Sequence, residues 1–241
     1  MSVRLDRLLA NLGYGSRREV QALVRGGAVT LDGATLGDPD MKIVAGPDLP
    51  ARMSIEGRPV DPPPPLALML HKPLGVTCSH KEAGALVYGL LPDRWRAREP
   101  AISTVGRLDK DTSGLLLMTD DGALLHRIIS PKSHVAKRYV ATLARPLTGE
   151  EGAIFASGDL MLEGETRPLQ PAVLEPLSPT TARLTIGEGR YHQVRRMFAA
   201  VGNHVEALHR DRIGGLGLPA DLPPGQWRIM TPNDIAAVFA R

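Results

Sequence analysis

The sequence predicts an α+β protein in two domains: a small N-terminal α/β module over residues 1–58, and a larger domain over 66–241 with a mixed, mainly antiparallel sheet. Three features predict it. Apolar residues near the start recur at helical spacing and then give way to a short hairpin pattern. Pro59-Val60-Asp61-Pro62-Pro63-Pro64-Pro65 can form neither helix nor central strand, so 59–65 reads as a stiff, extended proline-rich linker. Beyond it, short apolar runs outnumber helical patterns, and several neighbours are close enough to pair antiparallel.

In the first module, Leu5, Leu8, Leu9 and Leu12 fall on one helical face, with Ser2 as the expected cap and Gly13 as the stop. Ser16-Arg17-Arg18-Glu19 is a capping box, and Val20, Leu23 and Val24 carry a second apolar face to Gly26-Gly27. Ala28-Val29-Thr30-Leu31 reads as a short strand and Asp32-Gly33 as a tight turn. Over residues 1–27 the bases Arg4, Arg7, Arg17, Arg18 and Arg25 outnumber the acids Asp6 and Glu19. Arg17 and Arg18 open a helix where they oppose its dipole, which phosphate contact explains better than folding does. Charged residues also cover the outside of any small helix pair.

In the larger domain, Leu66-Ala67-Leu68-Met69-Leu70 reads as a buried strand. Further strands are predicted over 115–119, 136–144, 170–175, 181–186 and 203–208, and helices over 121–129, 149–157 and 190–201. Thr148 with Glu151 forms a second capping-box pattern, and Asp121-Gly122 opens a helix after a strand.

Composition narrows the function classes. The 241 residues are 43% hydrophobic and 23% charged, enough for a sizeable core in a soluble protein. A formal charge of +3 permits a polyanionic partner without demanding one. Cys78 is the single cysteine, which excludes an intrachain disulfide and a multi-cysteine zinc site. No apolar stretch approaches the ~20 residues that span a bilayer. Early charges and the lack of a long apolar core argue against a secretory signal, so the expected location is the cytoplasm, with no membrane partner.

Three polar clusters could carry chemistry. Arg107 and Asp109 sit in Gly106-Arg107-Leu108-Asp109, on the loop entering the apolar run Leu115-Leu116-Leu117-Met118. Lys137-Arg138-Tyr139 opens a strand-like run. Glu188-Gly189-Arg190-Tyr191-His192-Gln193-Val194-Arg195-Arg196-Met197-Phe198 leaves a glycine turn and enters a helix whose buried face is Val194, Met197, Phe198 and Val201. Arg190 and Arg195 lie in its first turns, where they could converge on an anion. Each cluster also has an ordinary reading: a turn aspartate, a core tyrosine, a solvated basic face. Taken together, an acid, an arginine able to hold it ionised and an aromatic ring make a compact site.

Other chemistries fit less well. His192, His204 and His209 lack metal-ligand spacing, and no H-E-x-x-H, P-loop or G-x-G-x-x-G occurs, so neither metal nor nucleotide cofactor is signalled. Cys78 could be a nucleophile but has no activating motif. Asp109 with Asp111 could form an acid–base pair for glycoside cleavage, although their spacing alone does not select it.

The N-terminal segment resembles the S4 RNA-binding domain through Arg4-Leu5-Asp6-Arg7-Leu8-Leu9-Ala10, Ser16-Arg17-Arg18-Glu19 and Val24-Arg25-Gly26-Gly27-Ala28-Val29-Thr30-Leu31-Asp32-Gly33, with leucine in place of the pattern's second valine. The resemblance implies binding of structured RNA by shape and phosphates. From Gly106 to Gly122, at Lys137-Arg138-Tyr139, and from Glu188 to Met197, the chain resembles the RsuA-type pseudouridine synthases. The tail, from Val201-Gly202-Asn203-His204-Val205 through Leu208-His209-Arg210 to Arg212-Ile213-Gly214-Gly215, is similar to the 16S rRNA branch.

The resemblance implies that Asp109 is the nucleophilic aspartate and that Tyr139 packs against the target base. It implies that Arg195 pairs with the aspartate, and that Arg107 fills the space left by a flipped nucleotide. It further implies a uridine of 16S rRNA as target, uridine 516 in that branch, with 16S rRNA or a partly assembled small subunit as partner. Arg190 and the arginines of the first module are the other expected RNA contacts. The isomerisation involves no redox change or net hydrolysis, so no cofactor is required, and a monomer is expected. A uridine of 23S rRNA or tRNA would use the same catalytic residues. A noncatalytic RNA-binding assembly factor and a nucleoside hydrolase are the more distant alternatives.

Overall fold

The computed structural model describes residues 2–79 and 82–240. The chain forms two compact units that are not collinear with the sequence. The first comprises the chain through Ala67 together with Leu91–Ser103 and Thr119–Gly122; the second comprises Leu68–Leu90, Thr104–Met118 and the chain from Ala123 onward.

In the first unit, helices Leu5–Asn11 and Arg17–Arg25 pack over a four-stranded sheet ordered Ala34–Thr35, Val29–Leu31, Met53–Ile55, Arg58–Pro59. Leu5, Leu8, Leu9, Leu12, Val20 and Val24 are buried in its core, as their spacing predicts. The capping box forms: the Ser16 N–H donates to Glu19 Oε2 at 2.7 Å, and the Glu19 N–H donates to Ser16 Oγ at 3.4 Å. Asp32 and Gly33 both take positive φ, 51° and 81°, the combination a two-residue hairpin turn requires.

Ser2 does not cap the first helix. It lies in strand Ser2–Arg4, paired with Lys42–Val44, and Arg4 occupies the N-cap without a side-chain capping bond. The ladder takes the segment that a cap would have needed. Asp6 is buried, accepting from Arg4 Nε at 3.1 Å and Nη2 at 2.9 Å and from Gln21 at 2.9 Å. The hydrogen bonds from Arg4 are the main reason its carboxyl is lowered to about 2, against the cost of burial. In the proline-rich stretch, Val60 joins the core. Asp61 donates its backbone N–H to the Tyr14 hydroxyl at 2.9 Å and accepts from Arg94 Nη2 at 2.6 Å. The Leu91–Ser103 segment is therefore tied into this unit through Arg94.

The second unit is organised by a sheet whose strands run in the order Val173–Ser178, Thr181–Ile186, Lys137–Leu143, Val205–Ile213, Thr112–Thr119, Ala67–Lys72, Trp227–Ile229. Lys137–Leu143 is antiparallel to both neighbours, whereas Val205–Ile213 runs parallel to Thr112–Thr119. The sheet is mixed and mainly antiparallel, as the sequence predicts. The strand expected over 203–208 continues to Ile213, carrying Arg210 and Arg212 into the sheet.

Gly114 permits the parallel pairing: at φ +114°, a Cβ there would lie 2.2 Å from the carbonyl oxygen of Arg210. Helix Gln193–Ala200 buries Val194, Met197 and Phe198, with Phe198 meeting Phe155 edge-on at 5.3 Å. It starts later than the predicted 190, because His192 takes left-handed backbone, φ 48°, as its N-cap. The Thr148–Glu151 pair departs from a reciprocal box. Glu151 accepts the N–H groups of Thr148 and Gly149 at 2.9 and 3.0 Å, while the Thr148 hydroxyl accepts from Glu150.

Candidate active site

Asp109 lies on the loop before strand Thr112–Thr119, and the surroundings fix that loop from several sides. The Thr112 N–H closes a turn onto the Asp109 carbonyl at 3.1 Å. Lys72, fully buried at the end of strand Ala67–Lys72, donates its ammonium to the carbonyls of Thr112 at 2.8 Å, Pro73 at 3.0 Å and Lys110 at 3.5 Å. The Gly75 N–H reaches the same Lys110 carbonyl at 2.8 Å. Burial is the main cause lowering the Lys72 pKa, and the nearby Asp109 and Asp111 charges act against it.

Arg195 holds the outer side of this loop. Its Nη2 is 2.8 Å from Asp111 Oδ2 and donates to the Asp111 carbonyl at 3.1 Å, while Nη1 donates to the Val205 carbonyl at 2.7 Å. The family resemblance implies this guanidinium against Asp109, but it meets Asp111, the acid two residues further on. Among the described residues, the ionisable partner within 4 Å of Asp109 is His192, whose Nε2 lies 3.4 Å from Oδ1. The left-handed turn at His192 brings that ring to the carboxylate, an arrangement that no sequence spacing signals.

Asp109 and Tyr139 meet in one cavity of about 260 Å³, together with Arg107, Lys137, His192 and Arg210. Tyr139 is only 9% exposed, so the core reading and the site reading both describe it. Its hydroxyl accepts from Arg210 Nη1 at 3.4 Å, and Arg210 lies 5.9 Å from the centre of its ring. Arg210 is itself buried, donates Nε to the Leu115 carbonyl at 2.8 Å, and keeps Nη2 without a hydrogen-bond partner. Arg210 and Lys137 thus place two cationic side chains at this end of the cavity, whose lining also holds the Glu188 carboxylate. Lys137 has its pKa lowered, first by burial and then by the Arg210 charge.

The remaining expected site residues divide. Arg107 is exposed, lines this cavity and a larger one of about 870 Å³, and makes no hydrogen bond or ion pair among the described residues. Arg190 is occupied by protein acceptors: Glu188 at 3.1 Å, Glu165 at 3.2 Å and the Arg167 carbonyl at 2.7 Å, along with the Pro168 carbonyl. It pins the 165–168 stretch to the start of the helix rather than standing free for an anion. In the first unit Arg4 is committed to Asp6 and Asp40, and Arg17 stands 3.9 Å from Asp6. Arg7, Arg18 and Arg25 are exposed with no ion pair among the described residues. Lys72 and His192 are supports that the sequence patterns do not reveal, while Arg210 falls in the family-like stretch Leu208-His209-Arg210, to which the resemblance assigned no role. The one signal for Lys72 was a lysine directly after an apolar strand and before Pro73.

The family model described as RNA pseudouridylate synthase matches residues 67–200, and the S4 domain matches residues 3–46. The chain is 43% identical over 240 residues to the ribosomal small subunit pseudouridine synthase A of Escherichia coli (strain K12), covering 98% of this chain and 100% of that protein. It is 38% identical over 237 residues to the protein of the same name from Vibrio cholerae, with 98% and 100% covered. A crystal structure of a pseudouridylate synthase superposes with a TM-score of 0.68 at 36% identity, covering 98% of this chain and 99% of that one. A site built on one accessible carboxylate and one buried tyrosine accords with these matches, and the chain belongs to the RNA pseudouridylate synthases of the RsuA type, with an S4 domain in its N-terminal part.

Proposed function

We propose that this protein converts a uridine of 16S rRNA, in the free RNA or the assembling small subunit, to pseudouridine, with Asp109 as the catalytic carboxylate and uridine 516 as the expected target. The observation that carries the catalytic reading is the meeting of Asp109 and Tyr139 in a single small cavity. The small-subunit assignment rests on relatives named for that activity and matched over nearly their whole length.

The reaction breaks the N1–C1′ bond, turns the uracil, and joins C5 to C1′; N1 gains a proton as C5 loses one. The Asp109 carboxylate either attacks C1′ or removes a sugar proton, and both routes need it ionised and aimed. Tyr139 packs against the base. Lys72 and Arg195 act on the loop rather than on the substrate, fixing its backbone so that the carboxylate is pre-oriented. Arg107, exposed at the cavity mouth, takes the place of the extruded nucleotide. Extrusion costs a few kcal/mol, offset by phosphate contacts from the S4 unit through Arg7, Arg18 and Arg25.

The test is chemical mapping of pseudouridine after incubating purified protein with 16S rRNA and with assembling small-subunit particles. Asp109→Asn is expected to lose more than about 1,000-fold in rate while still binding RNA. Full activity in that variant would remove the mechanism. Modification confined to 23S rRNA or tRNA would remove the target, and release of free uracil would indicate hydrolysis instead.

A further inference from the structure

The Asp109–His192 contact stands in a wall shared by two cavities. Asp109, Arg107, Leu108, His192 and Leu208 line both, but Tyr139 lines only the one of about 260 Å³. With the target uracil assigned to the Tyr139 side, the cavity of about 870 Å³ on the other side of the same carboxylate has no occupant in the proposed reaction. It has a polar pair of its own: Ser113 Oγ and His209 Nδ1 are 2.9 Å apart, with the His71 ring edge-on to His209 at 5.5 Å. Its lining also includes two large side chains that are mostly exposed, Leu74 at 63% and Tyr191 at 69%. The Tyr191 ring stacks on His192 at 3.8 Å and 17°, so an ordered pair of rings reaches from the shared wall to solvent.

We infer that this larger cavity is a second nucleotide subsite, which takes the base adjacent to the target in the same RNA strand, stacks it on Tyr191 and reads its edge through Ser113 and His209. The inference rests on the proposed reaction at Asp109. Charge selects a base over a phosphate. Among the described residues lining the cavity, the acids Glu82, Asp109, Asp111 and Glu206 outnumber the bases Arg107 and Lys110, which disfavours an anion. Burial, and next the neighbouring His71, lower the His209 pKa, keeping its ring neutral near pH 7. A neutral imidazole already bonded to a serine hydroxyl offers a hydrogen bond to a base edge but no charge to a phosphate. A stacked aromatic platform suits any base, because every base has a π face, and the Ser113–His209 pair then adds selectivity.

The test uses full-length protein and 16S rRNA fragments in which the nucleotides on either side of the target uridine are replaced, one at a time, by the other bases or by an abasic residue. For the wild type, an abasic residue at one of the two positions is expected to lower kcat/KM about tenfold, the loss of one stacked base. Tyr191→Ala should lose a similar factor on the intact RNA and nothing further on the abasic one, a non-additive cycle. Ser113→Ala and His209→Gln should flatten the preference among the four bases at that position. Wild-type indifference to both neighbours overturns the subsite, as does full additivity of Tyr191→Ala with the abasic change. If the wild type forms pseudouridine in no 16S rRNA substrate, the proposed function itself fails and the subsite with it, an outcome plainly different from active enzyme that ignores its neighbours.

Discussion

Asp109 is oriented by three side chains from two distant stretches: Lys72 through the carbonyls of its loop, and, from the start of helix Gln193–Ala200, Arg195 through Asp111 and His192 against the carboxylate itself. The motif made Asp109 and Tyr139 legible in the sequence, since both belong to patterns of adjacent residues. The supports were not legible. Whether Arg195 meets Asp109 or Asp111 depends on the loop's path, and His192 reaches the site only because its backbone is left-handed. On the positioning role proposed for Arg195, Arg195→Ala should reduce kcat about 100-fold with a smaller change in KM, the expected penalty for misplacing a reacting group by about an ångström. Partial recovery in Arg195→Lys, which keeps the charge, would support the positioning role; an unchanged kcat in Arg195→Ala would refute it.

At the scale of elements, local patterns governed what local forces decide. The Ser16–Glu19 box, the Asp32-Gly33 turn and the buried face of Gln193–Ala200 formed as their spacing predicts. Ser2 and the Thr148–Glu151 pair departed because a ladder and a pair of loop amides claimed the groups that capping would have used. Partners remote in sequence are invisible to such patterns, and Gly114 is a case in point. A Gly114→Ala chain should be destabilised by several kcal/mol, since left-handed strain and a collision with Arg210 backbone coincide there. Thermal unfolding within a degree or two of the wild type would contradict this.

The Asp6 carboxylate gives the first helix a pH-dependent contribution. Its folded pKa, about 2, is depressed from 3.8, so the contribution is fully present above pH ~4 and disappears as pH falls through about 2. Asp6→Asn should cost about 2 kcal/mol at neutral pH and nothing below pH ~2, as followed by denaturant titration. A cost that does not vary with pH would show that packing, and not the ion pair with Arg4, is responsible.

For the whole molecule, exposed arginines of the S4 unit should set the salt dependence of RNA binding. Replacing Arg7, Arg18 or Arg25 with glutamine should each lower the slope of log affinity against log salt by about 1 and weaken all RNA sequences alike. An unchanged slope would mean that those arginines do not meet phosphate. The proline run 59–65 reads in the sequence as a linker between two domains, whereas in the structure it lies within the first unit, with Pro59 in a strand and Val60 in the core. That Leu91–Ser103 and Thr119–Gly122 return to the first unit was not legible either, since the Asp61–Arg94 pairing joins residues remote in sequence.

That return has a consequence for biogenesis. Folding during synthesis ordinarily proceeds from the N-terminus, domain by domain. Here the leading portion buries an apolar core that ends at Val60, but its contacts with Leu91–Ser103 and Thr119–Gly122 wait until translation has passed Gly122, so a nascent chain arrested before Arg94 would leave the Asp61 carboxylate without its cation.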